Sequence, residues 1–576
     1  MADPQAAIAA QVSTALTAEF GPECADADPV IRPSAFADFQ SNVALALGKR
    51  LGLPPRDVAA RLTGHLTGSA VIERAEVSGP GFINITLSTA WIAAQASAQL
   101  ADPRLGVTAA SEPQRIVVDY SAPNVAKEMH VGHLRTTVVG DACVRMLEHL
   151  GHDVTRANHI GDWGTNFGML LEHLVDAGED AAYAQLAAGE INAFYQAAKV
   201  KFDSEPGFAD RSRRRVVALQ AGEPETLRLW QMFIDDSKQY YNMIYRRLGI
   251  TLTDDDLAPE SFYNPMLEDV CDELERAGVA TISDGALCLF PPGFTGRDGS
   301  PLPLILRKSD GGYGYDSTDM AAIRYRVREL RASRIIYVVG SEQAQHFAMI
   351  FAAASQAGWL PDSVRVEHAA IGMVTGADRK RFRSRSGASV KLIDLIDEAI
   401  SRAEEVIKDR YDEPEQRAQI AEAVGIGALK YADLSVARDS SYVLDFDRML
   451  ALTGNTGPYL QYATARIRSI FARASLSPDQ VTGPITLGEQ AERMLALRLL
   501  EFDVAVNQST KTAEPHKLAA FIFDLASDFT TFYEQCPVLK ATDEAVRHSR
   551  LALAALTLRV LLAGLDLLGI PVPERM

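Results

Sequence analysis

At 576 residues and 62.6 kDa the chain is too long for one compact core and implies about three to five domains. Its 47% apolar and 23% charged residues are the composition of a folded protein, and five scattered cysteines with no CxxC exclude both a disulfide-stapled scaffold and a Cys-rich zinc module. A net charge of −18 with a pI near 5.2 argues by itself against a nucleic-acid partner, although a local basic surface can sit on an acidic body.

Residues 1–110 read as a small α/β module: NVALALGKRLG has apolar residues at helical spacing, and VSGPGFINITL is a Gly-Pro-Gly turn entering an alternating strand. The opening MADPQAAIAAQ carries an acidic residue where a signal peptide needs a basic one. Residues 101–114 read as a linker. From 115 a short buried strand, RIVVDYSAPN, precedes a helical pattern, and strand and helix patterns alternate to about 400, including ASRIIYVVGSEQ and SVRVEHAAIGMV. That alternation predicts a parallel α/β sheet over 111–400, interrupted by a helical insertion at about 176–255. From 401 to 576 every segment has helical periodicity, which predicts an all-α domain with a bundle over about 450–576. The apolar stretch 551–570 contains Arg559 and Asp566, each costing ~2.5–3.5 kcal/mol at a bilayer centre, so it reads as a buried helix. The expectation is a cytoplasmic chain that meets no membrane.

The chemistry starts at the end of the first parallel strand. The run Asp119-Tyr-Ser-Ala-Pro-Asn124-Val-Ala-Lys127-Glu-Met-His130-Val-Gly132-His133 leaves a strand and opens a helix, where unpaired N–H groups favour phosphate. His130 and His133 share one face of a first helical turn, and Gly132 between them admits a close approach of a base or sugar. Two imidazoles there can stabilise the charge that develops as pyrophosphate leaves a nucleotide. Without its flanks, His-x-x-His also reads as a metal pair or as two structural histidines. No HExxH or cysteine partner accompanies it, so no metal site is expected.

The flanks carry a resemblance. The stretch VVDYSAPNVAKEMHVGHLRTTVVGDACVRMLEHLGHDVTRANHIGDWGTNFG resembles the arginyl-tRNA synthetases, a class I family whose HIGH signature opens the first helix of a Rossmann-type fold and binds ATP. Here the signature reads His130-Val131-Gly132-His133. The second class I signature, KMSKS, is degenerate: Arg379-Lys380-Arg381-Phe382-Arg383-Ser384-Arg385-Ser386-Gly387 stands in its place, with Phe382 at the first lysine and Arg385 at the second. Arg383, Ser384, Arg385 and Ser386 remain as cations and hydroxyls able to close over phosphate. The resemblance assigns compensation for the lost lysine to Lys127.

A guanidinium is planar, permanently charged and has five donors, so it demands carboxylate partners. By resemblance, Tyr315 and Asp319 of YDSTD contact the substrate guanidinium, Asp119 is a second acidic position, and Asn124 and Gln343 hold the substrate amino group. The amino-terminal module is similar to the family's extra domain, which touches the tRNA elbow; Phe39, Gln40 and Asn42 are its candidates for stacking and base reading. The carboxy-terminal segments TGPYLQYATARIRSI, FYEQCPVL and LLGIPVPERM are similar to the family's anticodon-binding domain, with Tyr459, Gln461, Tyr462 and Arg466 as candidates. The basic runs at 211–215 and 379–385 offer a local track for tRNA on an acidic body. The resemblance implies arginine–tRNA ligation with ATP, with Mg²⁺ carried by ATP rather than held in a protein cage, tRNA(Arg) and L-arginine as partners, tRNA-dependent activation and a monomer. The nearest enzyme alternative, the cysteinyl branch, needs zinc-binding cysteines, and Cys143, Cys271 and Cys288 lack the spacing. A silent tRNA-binding relative would lack the histidines or the pocket carboxylate, which are intact.

Overall fold

The computed structural model describes residues 3–187, 191–376, 378, 380, 382 and 390–576. The amino-terminal module packs helices α1 (Pro4–Phe20), α2 (Val43–Leu51), α3 (Pro55–Leu66) and α4 (Thr89–Ala101) around an antiparallel sheet of β1 (Ile31–Pro33), β2 (Phe39–Ser41), β3 (Ile72–Ser78) and β4 (Phe82–Leu87), in the order β1-β2-β4-β3. Ile83, Ile85 and Leu87 alternate inward along β4, so one face of the sheet is core and the other is open. The module is fastened to the far end of the chain. Asp38 accepts both guanidinium arms of Arg493, at 2.8 and 2.6 Å, and Gln99 donates to the Leu499 carbonyl at 2.8 Å.

Four parallel strands form the central sheet: β5 (Arg115–Asp119), β6 (Asp153–Ala157), β10 (Arg334–Tyr337) and β11 (Arg365–His368), in the order β11-β10-β5-β6. Ile116, Val117 and Val118 are all buried, the continuous apolar run of a strand covered on both faces. Helix α5 (Val131–His149) carries β5 to β6, while α13 (Ala344–Gln356) carries β10 to β11 in the opposite direction. The order therefore reverses between β5 and β10, and the crevice beyond their carboxyl ends is where an open α/β sheet binds ligands.

Between β6 and β10 the chain forms helices α6 (Thr165–Ala177), α7 (Glu179–Ala187), α8 (Ile191–Ser204), α9 (Pro206–Gln220), α10 (Pro224–Leu248), α11 (Asn264–Arg276) and α12 (Tyr315–Arg328). An antiparallel sheet of β7 (Ala280–Ser283), β8 (Ala286–Leu289) and β9 (Leu304–Arg307) lies between α11 and α12 and departs from the parallel alternation expected to 400. Its signal is local. Asp284 and Gly285 both have positive φ, at 48° and 79°, and make the two-residue hairpin that Asp-Gly favours.

The rest is helical: α14 (Leu392–Ile407), α15 (Pro414–Leu434), α16 (Phe446–Met449), α17 (Gly457–Ala474), α18 (Gln490–Leu499), α19 (Phe502–Thr512), α20 (His516–Gln535) and α21 (Glu544–Leu567). One strand corrects the all-helix expectation. β13 (Tyr442–Val443) pairs in parallel with β12 (Val374–Thr375), and two residues are too few to show an alternation in sequence. α21 is the buried helix expected of its apolar run; Arg559 within it donates to the carbonyls of Leu100 and Asp102. No helix among the described residues is long and apolar enough to cross a membrane.

In the basic run at 211–215 three arginines have acidic partners. Arg211 and Arg215 pair with Glu172 at 3.1 and 2.8 Å, Arg211 also with Asp176 at 2.8 Å, and Arg213 with Asp210 at 2.7 Å.

Candidate active site

His130 is the N-cap of α5, and its Nδ1 accepts the Gly132 N–H at 3.0 Å. Reciprocally, His133 Nδ1 accepts the His130 N–H at 3.0 Å, and the two rings lie 4.0 Å apart. Burial, and then the neighbouring imidazole, push His133 down to about 3, so it is neutral at physiological pH. Because Nδ1 is an acceptor, its proton sits on Nε2, making His133 a permanent neutral donor. Gly132 has a different use from the one expected. A Cβ there would lie 2.8 Å from His130 Cε1, so the space belongs to the imidazole rather than to an approaching base or sugar. A cleft lined by His130, Gly132, Thr136, Gly340, Glu342 and Gly372 opens from this turn between β5 and β10.

The segment entering α5 is strained. Ser121, Ala122 and Ala126 have φ of 70°, 48° and 59°, a left-handed region that costs side-chain-bearing residues about 1–3 kcal/mol each. Asn124 lies between them, exposed, in a parallel bridge to Gly161. Lys127 rests its ammonium 4.7 Å over the Tyr195 ring of α8. Of the phosphate loop, Arg383, Ser384, Arg385 and Ser386 lie outside the described residues. Phe382, which takes the place of the family's first lysine, packs half-buried against the core, and its N–H donates to the Val374 carbonyl at 3.1 Å.

A second cluster lies beyond the end of β5. In the first turns of α12, Asp319 Oδ2 is 2.6 Å from His346 Nε2, and Asp316 Oδ1 is 3.6 Å from His346 Nδ1. Tyr315 is 66% exposed, with its ring edge-on to His346 at 5.1 Å. His159 Nε2 comes within 4.0 Å of Asp319 Oδ1. Burial works to lower the His346 pKa, but the hydrogen bond to Asp319 and the charges of Asp319 and Asp316 outweigh it and hold the imidazole above its ordinary value. Gln343 is exposed in the turn just before α13.

Sequence reasoning missed one carboxylate of this cluster. Glu260 follows Pro259 in a short 3₁₀ turn, and burial, then the charges of Asp162 and Asp319, push it up to about 8. Asp162, from the HIGDWG stretch, sets that turn by accepting from the Ser261 N–H at 2.9 Å and hydroxyl at 2.5 Å. The charges of Asp162 and Asp319 thus act on one buried carboxyl, with His159 and His346 beside Asp319.

Asp119 has a partner inside the chain. At the end of β5 its Oδ2 is 2.6 Å from Nη2 of Arg326, and both side chains are nearly fully buried. The guanidinium also sits 5.0 Å over the Tyr337 ring. An internal arginine thus holds one oxygen of the carboxylate expected to meet the substrate guanidinium.

Of the residues expected to meet tRNA, Phe39 is corrected: it is buried opposite Ile85 and belongs to the core, because its neighbours in the strand alternate outward. Gln40 does face the open side, in a cross-strand row Arg32–Gln40–Asn84–Glu76, and donates to Asn42 Oδ1 at 2.7 Å. Gln461 is also corrected. It is fully buried, with Nε2 donating to the Ala423 and Pro571 carbonyls at 2.9 and 2.6 Å, and so ties α17 to α15 and the terminal segment. Tyr459 is half-buried with its ring 5.7 Å from Phe523, Tyr462 is 39% exposed, and Arg466 lies 4.4 Å over the Tyr533 ring.

Three family models match in order: the arginyl tRNA synthetase N-terminal domain over residues 5–87, the class I (R) tRNA synthetase catalytic domain over 95–446, and the DALR anticodon binding domain over 460–576. The chain is 62% identical to the arginine–tRNA ligase of Thermobifida fusca (strain YX), covering all of both chains. It is 47% identical to that of Edwardsiella ictaluri (strain 93-146), covering 99% of this chain and all of the relative. Among solved structures, the arginyl-tRNA synthetase of Plasmodium falciparum superposes with a TM-score of 0.85 at 29% identity, covering all of both chains. That of Thermus thermophilus does so with 0.81 at 25%, covering 99% of this chain and all of the other. From the crossed imidazoles at the head of α5 to the helical bundle at its end, the chain belongs to the arginyl-tRNA synthetases of class I.

Proposed function

We propose that this chain activates L-arginine with ATP and transfers it to tRNA(Arg). The observation that carries the substrate is the acidic cluster in which Asp316 and Asp319 share one imidazole, His346, while the charges of Asp162 and Asp319 act on buried Glu260, because a guanidinium supplies positive charge where carboxylates outnumber it. Asp319 and Glu260 receive the guanidinium and Tyr315 lines its plane. Asn124 and Gln343, exposed on either side of the crevice, hold the amino group. The arginine carboxylate oxygen attacks the α-phosphorus, the bond to the β-phosphate bridging oxygen breaks, and pyrophosphate leaves. His130 and His133 donate to the phosphate as charge develops, and Lys127 with Arg383, Ser384, Arg385 and Ser386 neutralises the leaving group. The 2′-hydroxyl of the tRNA terminal ribose then attacks the arginyl carbonyl and AMP departs.

Mg²⁺ enters with ATP. It is carried by the phosphates and water rather than by a protein cage. Activation depends on tRNA, the chain works as a monomer in the cytoplasm, and the open face bearing Gln40 and Asn42 and the α17 face bearing Tyr459, Tyr462 and Arg466 meet the tRNA. The test is ATP–pyrophosphate exchange over all twenty amino acids, each with and without total tRNA. Exchange with arginine alone and only with tRNA is expected. Arginine exchange without tRNA removes the tRNA dependence, and exchange with another amino acid, or none from folded protein, overturns the reading.

A further inference from the structure

Three strained residues within six positions need neighbours that over-determine them. Beside Thr137 of α5, which meets Ser121 Oγ at 2.9 Å, and the bridge from Asn124 to Gly161, much of that restraint comes from one helix. On α10, Ser237 Oγ accepts the Ala126 N–H at 3.0 Å, and the Tyr241 hydroxyl donates to the Asn124 carbonyl at 2.7 Å. Tyr245 Oη lies 2.8 Å from Ser121 Oγ and accepts from Asn158 Nδ2 at 3.0 Å, while Asn158 Oδ1 accepts the Ala122 N–H at 3.0 Å. Ser237, Tyr241 and Tyr245 are spaced by four, share one buried stripe, and between them reach every strained residue, directly or through Asn158.

For packing alone, phenylalanine and alanine would serve, since a buried hydroxyl without a partner is destabilising. Here the hydroxyls are aimed at the segment that presents Asn124 and leads into His130. Burial holds both phenols above their ordinary pKa, so they stay protonated. The helix is itself anchored at its far end, where buried Lys430 donates to the Leu248 carbonyl at 2.7 Å and Arg145 to the Gly249 carbonyl at 2.8 Å.

We infer that the Ser237–Tyr241–Tyr245 stripe of α10 is a positioning device for adenylation, holding segment 121–126 in the strained shape that sets Asn124 and the head of α5 against the substrates. The helical insertion is thereby part of the catalytic apparatus without touching substrate. This rests on the proposed arginine activation for its kinetic consequence, not for the restraint itself.

The test uses the full-length Ser237→Ala, Tyr241→Phe and Tyr245→Phe variants. Each is measured for arginine-dependent pyrophosphate exchange with tRNA, with kcat and the KM for ATP and arginine taken separately. Melting temperature and hydrogen exchange over residues 120–127 are followed alongside. Misplacing a reacting group by an ångström costs on the order of 100-fold, so a kcat fall of about 10- to 100-fold is expected in Tyr241→Phe, with a smaller change in KM for ATP. Ser237→Ala should speed exchange at the Ala126 amide, and Ser237→Thr, which restores the acceptor, should recover both protection and kcat. Variants whose kcat per folded molecule matches wild type overturn the positioning role, as do losses that merely follow the melting temperature. Unchanged protection at Ala126 in Ser237→Ala overturns the restraint, whatever the exchange assay gives. Wild-type protein inactive with arginine would sink the functional reading instead.

Discussion

Asp319 and His346 meet at 2.6 Å across the space that a guanidinium is expected to enter, one on α12 and the other on α13. With its pKa held above the ordinary 6.5, His346 is, once protonated, an internal cation on the same carboxylate. Its contribution to stability is fully present below 6.5 and is lost as the pH rises through the raised value. Removing the carboxylate strands both partners. Asp319→Asn should weaken arginine binding by ~2–5 kcal/mol, the range for truncating one member of a buried charged pair. Calorimetric titration of arginine into the variant checks this, and an unchanged affinity would remove Asp319 from the pocket.

With Glu260 receiving the guanidinium as proposed, arginine binding becomes a proton-coupled event. In the free protein its carboxyl titrates at about 8, whereas a bound guanidinium favours the ionised form. Stability from the protonated group is fully present below 4.5 and lost as the pH rises through about 8, and arginine offsets that loss. Apparent affinity should therefore fall about tenfold for each pH unit below 8, with one proton released per arginine bound. Titrations in buffers of different ionisation enthalpy report that proton directly. A Glu260→Gln variant should show neither the pH slope nor the release, and a slope surviving in it would assign the effect elsewhere.

Asp119 and Arg326 give a stability prediction in place of a binding one. Breaking a buried pair by removing one partner leaves an uncompensated charge and costs ~3–5 kcal/mol. Arg326→Met should therefore lower the denaturation free energy by that much, and Asp119→Asn should destabilise the chain more than it weakens arginine. A loss within about 0.5 kcal/mol for Arg326→Met, the size of a surface substitution, would return Asp119 to the list of free acceptors.

Asp319 was named from the family resemblance of YDSTD, whereas the histidine pair was legible in a local pattern: a continuous apolar strand, then turn residues, then a helix. Glu260 was not. Its environment is made by Asp162, whose bonds to Ser261 span 99 positions, and a Pro-Glu-Ser turn has no periodicity to betray a buried carboxylate. The partner of Asp119 lies 207 positions away, so a sequence reading sees an acid at a strand end and not the arginine that occupies it. Phe39 and Gln461 were misplaced for the opposite reason. Aromatic and amide side chains suit a nucleic-acid surface and a core alike, and only the pleat of β2 and the crossing of α15 with α17 decide between them.

Gly132 offers the sharpest separation of chemistry from binding. An added methyl group would stand 2.8 Å from His130 Cε1 and 3.0 Å from Nδ1, inside van der Waals contact. The backbone at 132 has an ordinary helical φ, so alanine is not excluded by conformation, and it raises intrinsic helix propensity by up to ~1 kcal/mol. The conflict must be relieved by rotating His130, which breaks its Nδ1 bond to the 132 N–H and unsettles the N-cap together with the ring that His133 faces at 4.0 Å. Asp319 and Glu260 lie on other elements and are untouched. Gly132→Ala should consequently keep its fold and its arginine affinity while pyrophosphate exchange falls on the order of 100-fold, the effect of losing one well-placed donor to a developing charge. Parallel measurement of arginine binding by calorimetry and of exchange rate decides it: equal losses in both would mean that the methyl group disturbs the whole crevice, and no loss in exchange would mean that the His130 ring position is irrelevant to the chemistry.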